Sequence, residues 1–293
     1  MQPAAASGKY YIPHGSKWPI VGSVALFTFM LGAVAKLNDW SSAWSFLPGA
    51  LILAYMFFGW FSVVIGESEA GIYNMDVDRS FRMGMIWFIF SEVMFFASFF
   101  GALFYARELS VPWLSGEGVK IFNKLLLWKN FGSAWPSNGP LHLSPRADGT
   151  FETIPAFGKP ALNTAILLTS GFTITMAHHA LKASRRLPLL VWLGLTIILG
   201  FSFVGFQASE YMEAYTEKGL QLGTGVYGST FFMLTGFHGL HVTLGAIMLT
   251  VIWFRCLKGH FTPQRHFGFE AVAWYWHFVD VVWLGLFIFV YWI

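Results

Sequence analysis

Seven runs of apolar residues, each long enough to cross hydrocarbon, constrain this chain more than any other feature it has. They extend approximately from Pro19 to Ala35, Phe46 to Gly66, Phe81 to Ala106, Ala161 to Leu181, Leu187 to Met212, Val226 to Phe254 and Phe269 to Ile293. At a rise of about 1.5 Å per residue, roughly 20 helical residues span the approximately 30 Å core of a bilayer. An unpaired backbone group is prohibitively costly in lipid, so each run is read as a helix. Composition agrees. Hydrophobic residues make up 56% of the 293 and charged residues 11%, which leaves too little charge to coat a water-facing surface. The 19% of aromatic residues excludes disorder and suits rings placed at the lipid–water boundary. A net charge of +3 is too small for a nucleic-acid footprint, and no nucleic-acid partner is expected. The single cysteine, Cys256, excludes an internal disulfide, a Cys-based zinc site and a cysteine-ligated iron–sulfur cluster.

The expected fold is therefore an all-α membrane protein of seven transmembrane helices, a single membrane domain over residues 1–293. A tail at 1–18 leads into helices I–II at 19–66, and helices III–VII fill 81–293 around a long connection at 108–158. Seven crossings place the two termini on opposite sides. With the N-terminus in the cytoplasm, the inner segments hold ten Lys and Arg, from Lys9 to Arg265, and the outer ones eight. Six of those eight belong to or flank the long connection, so among short loops the bias is ten against two, Lys36 and Lys218. That favours N-inside and C-outside. The outer loop between spans five and six is read as acidic, with Glu210, Glu213 and Glu217. A rival reading makes the first run a signal peptide ending at Ala33-Val34-Ala35. Trp18-Pro19 argues against it, as an interfacial anchor followed by a helix first turn.

The long connection carries Pro112, Pro136, Pro140, Pro145 and Pro155 among several glycines, which predicts an ordered cap of turns. Within it, Val119 to Phe131 reads as one short surface helix, with Ile121, Leu125 and Trp128 opposite Lys120, Lys124 and Lys129. Loops of this length are usually functional or partner-bound, so the cap is expected to be a contact surface.

Ionisable side chains in membrane helices cost a few kcal/mol even on lenient insertion scales, so each needs a reason. Glu92 lies near the middle of the third run, His238 and His241 share a face of the sixth at i, i+3, and His277 and Asp280 repeat that spacing in the seventh. The topology places all five in one layer between the midplane and the inner half. Three readings stand: a polar network holding helices together, a proton relay or substrate site around Glu92, and metal or haem ligation. Bis-histidine haem ligation would want matched histidines on facing helices. A di-iron site would want many at the surface, where only His178-His179 sits. Gly223 to Gly228 matches G-x-G-x-x-G but opens a membrane span with no strand before it, so close packing is expected there and not a dinucleotide. The small pair Ala97 and Gly101 permits close helix contact.

Several blocks together resemble a known family. Ser91-Glu92-Val93-Met94-Phe95-Phe96, Ala177-His178-His179, Gln207-Ala208-Ser209-Glu210-Tyr211, Gly236-Phe237-His238-Gly239-Leu240-His241-Val242, His266-Phe267-Gly268-Phe269-Glu270 and Trp274 through Trp283 are similar to subunit III of haem–copper cytochrome c oxidase. The resemblance covers about half of the chain and implies that it holds no redox centre. Haem and copper would belong to partner subunits, and the chain would pack against subunit I, support its proton uptake and prolong its turnover. Subunit II, the small subunits and phospholipids are further implied partners, with a cytochrome or another respiratory complex as a candidate at the periplasmic face.

The family likeness also implies that the first two helices are splayed from the other five around a lipid-filled cleft. A phospholipid site is carried over to Trp60, Glu67, Arg82, Arg255 and His260. Two departures bear on the headgroup: many relatives have an Arg before the glutamate, where this chain has Gly66, and a His in the following loop, where it has Tyr73-Asn74. Val119 to Phe131 looks like an insertion and points to a bacterial version in an inner membrane. The resulting expectation is a non-catalytic subunit of a proton-pumping aa3-type oxidase. Subunit III of a quinol oxidase and an independent proton-coupled transporter are the alternatives.

Overall fold

In the computed structural model, residues 10–12 and 15–292 are described. Lys9, counted toward the inner charge, most of the 1–18 tail and the terminal Ile293 lie outside them. Helices α1 (Trp18–Leu37), α2 (Leu47–Glu69), α3 (Met75–Tyr105), α4 (Val111–Leu114), α5 (Lys159–Lys182), α6 (Arg186–Thr216), α7 (Gly225–Lys258) and α8 (Phe267–Leu286) follow in order. Among the described residues the one β feature is an isolated bridge between Thr262 and Arg265.

Six of the helices are long and apolar enough to cross a membrane, against seven expected. The exception is α5, whose 24 residues suffice in length but include Asn163, Thr164, Ser170, Thr173 and Thr175. Much of this polarity is met inside the protein: Thr164 and Thr175 donate to the carbonyls of Pro160 and Gly171 at 2.9 Å, and Thr173 meets Thr196 at 2.8 Å. Composition alone therefore understates α5, which packs against α6 and α8.

The chain divides into two compact units, residues 1–83 and 84–293. In the first, α1 and α2 form an antiparallel hairpin. Trp18, Ala25 and Gly32 are the buried positions of α1, a spacing of seven that keeps one seam facing its partner. Opposite them α2 buries Gly49 and Met56. A side chain at Gly49 would collide with the Phe29 backbone, and one at Gly59 with the Trp18 ring. These glycines let the two helices touch where lipid supplies no hydrophobic force to join them.

In the second unit α5, α6, α7 and α8 run alternately up and down around Trp276, which is fully buried. Its indole N–H donates to Ser170 Oγ at 2.9 Å, and its ring fills the hollows left by Gly200 of α6 and Gly245 of α7. The part of α3 in this unit packs on α7, α8 and the π turn Phe287–Trp292 that continues α8 through aromatic rings: Phe95 on Phe237 at 5.1 Å, Phe96 on Phe278 at 6.1 Å, Phe100 on Phe289 at 6.0 Å. By contrast, Gly101 of α3 faces open space, so the Ala97 and Gly101 pair marks no helix contact here.

Two boundaries differ from expectation. The third span begins at Met75 and runs on as helix through a wide π turn at Ala106–Ser110 into α4, so the connection starts at Ser115 and not at 108. Pro112 stands where the π turn passes into α4 and supplies no N–H to the helical ladder there. The expected single helix over Val119 to Phe131 is a 3-10 turn at Gly118–Lys120 followed by a π turn at Asn123–Leu127. Gly116 and Gly118 take positive φ, which interrupts regular helix. Ile121, Phe122, Leu125, Leu126 and Leu127 are all exposed, and no apolar face is buried.

The rest of the connection is the ordered cap that its prolines predict. Asn138 donates to the carbonyls of Leu143 at 3.2 Å and Gly149 at 2.9 Å, and Tyr227 N–H donates to Ser137 O at 3.1 Å. A side chain at Gly225 would strike the Asn138 backbone, and one at Gly228 the Gln221 carbonyl. The G-x-G-x-x-G letters thus serve close packing of the cap on the start of α7.

Candidate functional site

The five polar residues expected at one depth do not form one network. Glu92 of α3 and His241 of α7 meet directly, with Oε2 and Nε2 2.9 Å apart. His277 and Asp280, one turn apart on α8, approach to 3.6 Å between Nδ1 and Oδ2. His238 joins neither pair: its Nε2–H donates to the Val279 carbonyl at 3.2 Å, and its ring lies against Trp283 at 5.2 Å.

His241 holds its position through its other nitrogen. Nδ1 lies 2.6 Å from the carbonyl of Phe237, one turn earlier on α7. A carbonyl only accepts, so Nδ1 carries a hydrogen. Nε2 then either offers a lone pair to a protonated Glu92 or donates a second hydrogen to a carboxylate. Both arrangements hold one proton between the two groups and carry zero net charge, which is what a low-dielectric site tolerates. Phe96 and Phe95 flank the imidazole at 5.0 and 5.9 Å. The pair is not sealed, since 21% of the Glu92 side chain and 12% of the His241 side chain stay accessible at the surface of this chain.

The second pair is built on an absent side chain. A Cβ at Gly171 of α5 would collide with Asp280 Oδ2, so the glycine admits the carboxylate against the α5 backbone. Asp280 is buried while 45% of the His277 side chain is exposed, and Thr175 Oγ1 reaches His277 Nε2 at 3.4 Å.

Sequence reasoning missed two further groups. Glu210 lies inside α6, fully buried, and not in an outer acidic loop. It accepts the phenol hydrogen of Tyr291 at 2.6 Å, with the Gln207 amide at 3.5 Å. Its neighbour Glu213 also lies in α6 and not in a loop, in the last turn, where it pairs with Lys159 at 2.9 Å. The i, i+3 spacing of Gln207 and Glu210 was the available signal. The other group is His178, His266 and Glu270, whose ligand atoms lie within 4.8 Å of one another.

The residues carried over as a phospholipid site fall in both units. In the first, Glu67 accepts hydrogens from Tyr11 at 2.9 Å and Tyr73 at 2.7 Å. Tyr73 thus engages Glu67 from the loop that follows α2. The hydrogen bond from Tyr11 to Glu67 raises the Tyr11 phenol above its ordinary range, with burial adding to it. Burial raises Tyr73 further, with the Glu67 hydrogen bond second. Arg82 pairs with Asp78 at 2.7 Å, and Trp60 is exposed on α2. In the second unit, the Arg255 guanidinium lies 4.4 Å over the Phe261 ring. His260 follows Gly259, whose φ of 76° ends α7 in a left-handed cap.

A family model described as Cytochrome c oxidase subunit III matches residues 8–293. The chain belongs to the cytochrome c oxidase subunit III family. It is 40% identical over 290 residues to the "Cytochrome c oxidase subunit 3" of Pongo abelii, covering 99% of this chain and 98% of that one. The protein of the same name from Carassius auratus is 39% identical over 283 residues, with 97% and 96% covered. That from Struthio camelus is 40% identical over 284 residues, with the same coverage. The all-helical membrane architecture agrees with this family, and membership places the chain in respiratory electron transport.

Proposed function

We propose that this chain is the non-redox subunit III of a proton-pumping aa3-type cytochrome c oxidase. In this reading it packs on subunit I beside subunit II and the small subunits, retains phospholipid, and keeps protons supplied to a partner that holds the haem and copper. The observation that carries the reading is the Glu92–His241 pair, which keeps one exchangeable proton at zero net charge on the lipid-depth surface of α3 and α7. Such a pair can stabilise a helix contact and still pass a proton. A transporter would favour interrupted helices beside its site. Here α7 and α8 run unbroken through His241 and His277, which supports the accessory role. We place the complex in a bacterial inner membrane, with the N-terminus cytoplasmic and the C-terminus periplasmic. The apparent insertion within the connection and the distribution of Lys and Arg support that placement.

Replacing Glu92 by Ala in the assembled oxidase tests the reading. The haem spectrum is expected to stay intact while assembly weakens or activity decays faster during turnover. Loss of haem from the complex would overturn the accessory role.

A further inference from the structure

One cluster of the second unit has no part in that role. His178 stands near the C-terminal end of α5, His266 immediately precedes α8, and Glu270 lies in the first turn of α8. His178 Nε2 and His266 Nε2 are each 3.4 Å from Glu270 Oε1. His266 and Glu270 are each only 8% exposed, although both lie near helix ends.

His266 Nδ1 sits 3.2 Å from the Thr262 carbonyl, so Nδ1 is a donor and Nε2 is the nitrogen turned toward Glu270. Metal-binding histidines are oriented in the same way by a backbone carbonyl on the second nitrogen. The His178 ring is held between Phe269 at 5.5 Å and His266 at 5.3 Å. Neither His178 Nε2 nor His266 Nε2 has a hydrogen-bond partner, though both atoms are buried. Two imidazole nitrogens and a carboxylate oxygen therefore converge on one small volume.

We propose that His178, His266 and Glu270 bind a divalent metal ion, zinc fitting best, at the junction of α5 and α8. Bonds of about 2.0–2.1 Å in tetrahedral geometry set neighbouring ligand atoms about 3.3 Å apart. The two nitrogen–oxygen separations of 3.4 Å already match that edge. Two imidazoles and one carboxylate are a borderline donor set suited to zinc, and the fourth position is left for water. The ion would carry no electrons. It would tie the end of α5 to the start of α8, and so reaches past the expectation that this chain ligates no metal.

The test uses the intact oxidase containing this chain, stripped with chelator and equilibrated with zinc alone. Bound zinc per complex is then counted for the unaltered protein, His266→Gln and Glu270→Gln. The expected result is one equivalent fewer in each variant. Equal stoichiometry in all three overturns the proposal. X-ray absorption at the zinc edge of the loaded unaltered complex decides independently of whether the variants assemble. A shell with two imidazoles and a carboxylate oxygen, lost on Glu270→Gln where that variant assembles, supports the site. A shell without two imidazoles sinks it.

Discussion

Gly171 of α5 lies so close to Asp280 of α8 that a single methyl group on the glycine would occupy the place of the carboxylate oxygen. Alanine normally improves a helix by about 1 kcal/mol over glycine. Overpacking costs roughly 1–3 kcal/mol, and a short buried carboxylate has little room to yield. Gly171→Ala is therefore expected to destabilise the chain and to pull Asp280 from His277. Gly205→Ala, which meets open space, is the control. Thermal unfolding of both in detergent checks the sign. Adding Asp280→Ala to Gly171→Ala should recover part of the loss, and strict additivity in that cycle would refute the contact.

Trp276 is the second position where shape decides. Its ring is lodged between Gly200 and Gly245, and its N–H has Ser170 as acceptor. In lipid the removal of such a ring forfeits dispersion contacts and leaves a void. Trp276→Ala is expected to cost on the scale of about 3–5 kcal/mol known for Trp or Phe truncation in cores. Gly245→Val should damage the same joint from the other side. Equilibrium unfolding in mixed micelles measures both, and a loss below about 1 kcal/mol for Trp276→Ala would show that the ring is not the packing centre.

Most of this fold was legible in the sequence because lipid imposes length and apolarity on every crossing, and both can be counted. The polarity of α5 concealed it from the same count, since Asn163, Ser170 and Thr173 are polar yet buried in the bundle. Glu92, His241, His277 and Asp280 were legible as costly groups needing partners, whereas which of them meet depends on helix rotation, a quantity no single-helix pattern contains. Glu210 escaped notice because Glu213, one turn on in α6, is partly exposed and paired with Lys159, and the sequence does not tell which of two acids a turn apart is buried. The Val119–Phe131 face misled because spacing reports a helix only where the backbone stays regular, and Gly116 and Gly118 end that regularity just before it.

The two phenols on Glu67 give a pH prediction outside the spans. Folding raises both Tyr11 and Tyr73 above the ordinary 10.0, so the folded state keeps these protons where the unfolded chain has released them. Their contribution is complete below the unfolded value and is lost as pH rises through the folded one. Alkali should therefore loosen the contacts around Glu67, and ultraviolet titration should show late-ionising tyrosines. Glu67→Gln is expected to return Tyr11 most of the way, because its main cause is the Glu67 hydrogen bond. Tyr73 should recover less, since burial is its larger cause. Equal recovery of both would contradict that ordering.

The Glu92–His241 pair allows structure and proton handling to be separated. Glu92→Gln keeps a neutral donor in place, because the amide N–H can serve the Nε2 lone pair of His241. Helix contact and assembly should then be near those of the unaltered chain. Glu92→Ala instead leaves the partly buried His241 Nε2 without its partner, at about 1–3 kcal/mol, and should weaken assembly as well. The amide cannot exchange the shared proton. If the pair matters to proton supply, Glu92→Gln complexes should assemble with normal haem content yet lose activity faster under sustained turnover. The infrared signature of a protonated carboxylic acid or of its imidazolium alternative should also vanish in that variant. Turnover lifetime unchanged in Glu92→Gln but shortened in Glu92→Ala would assign the pair to helix packing alone.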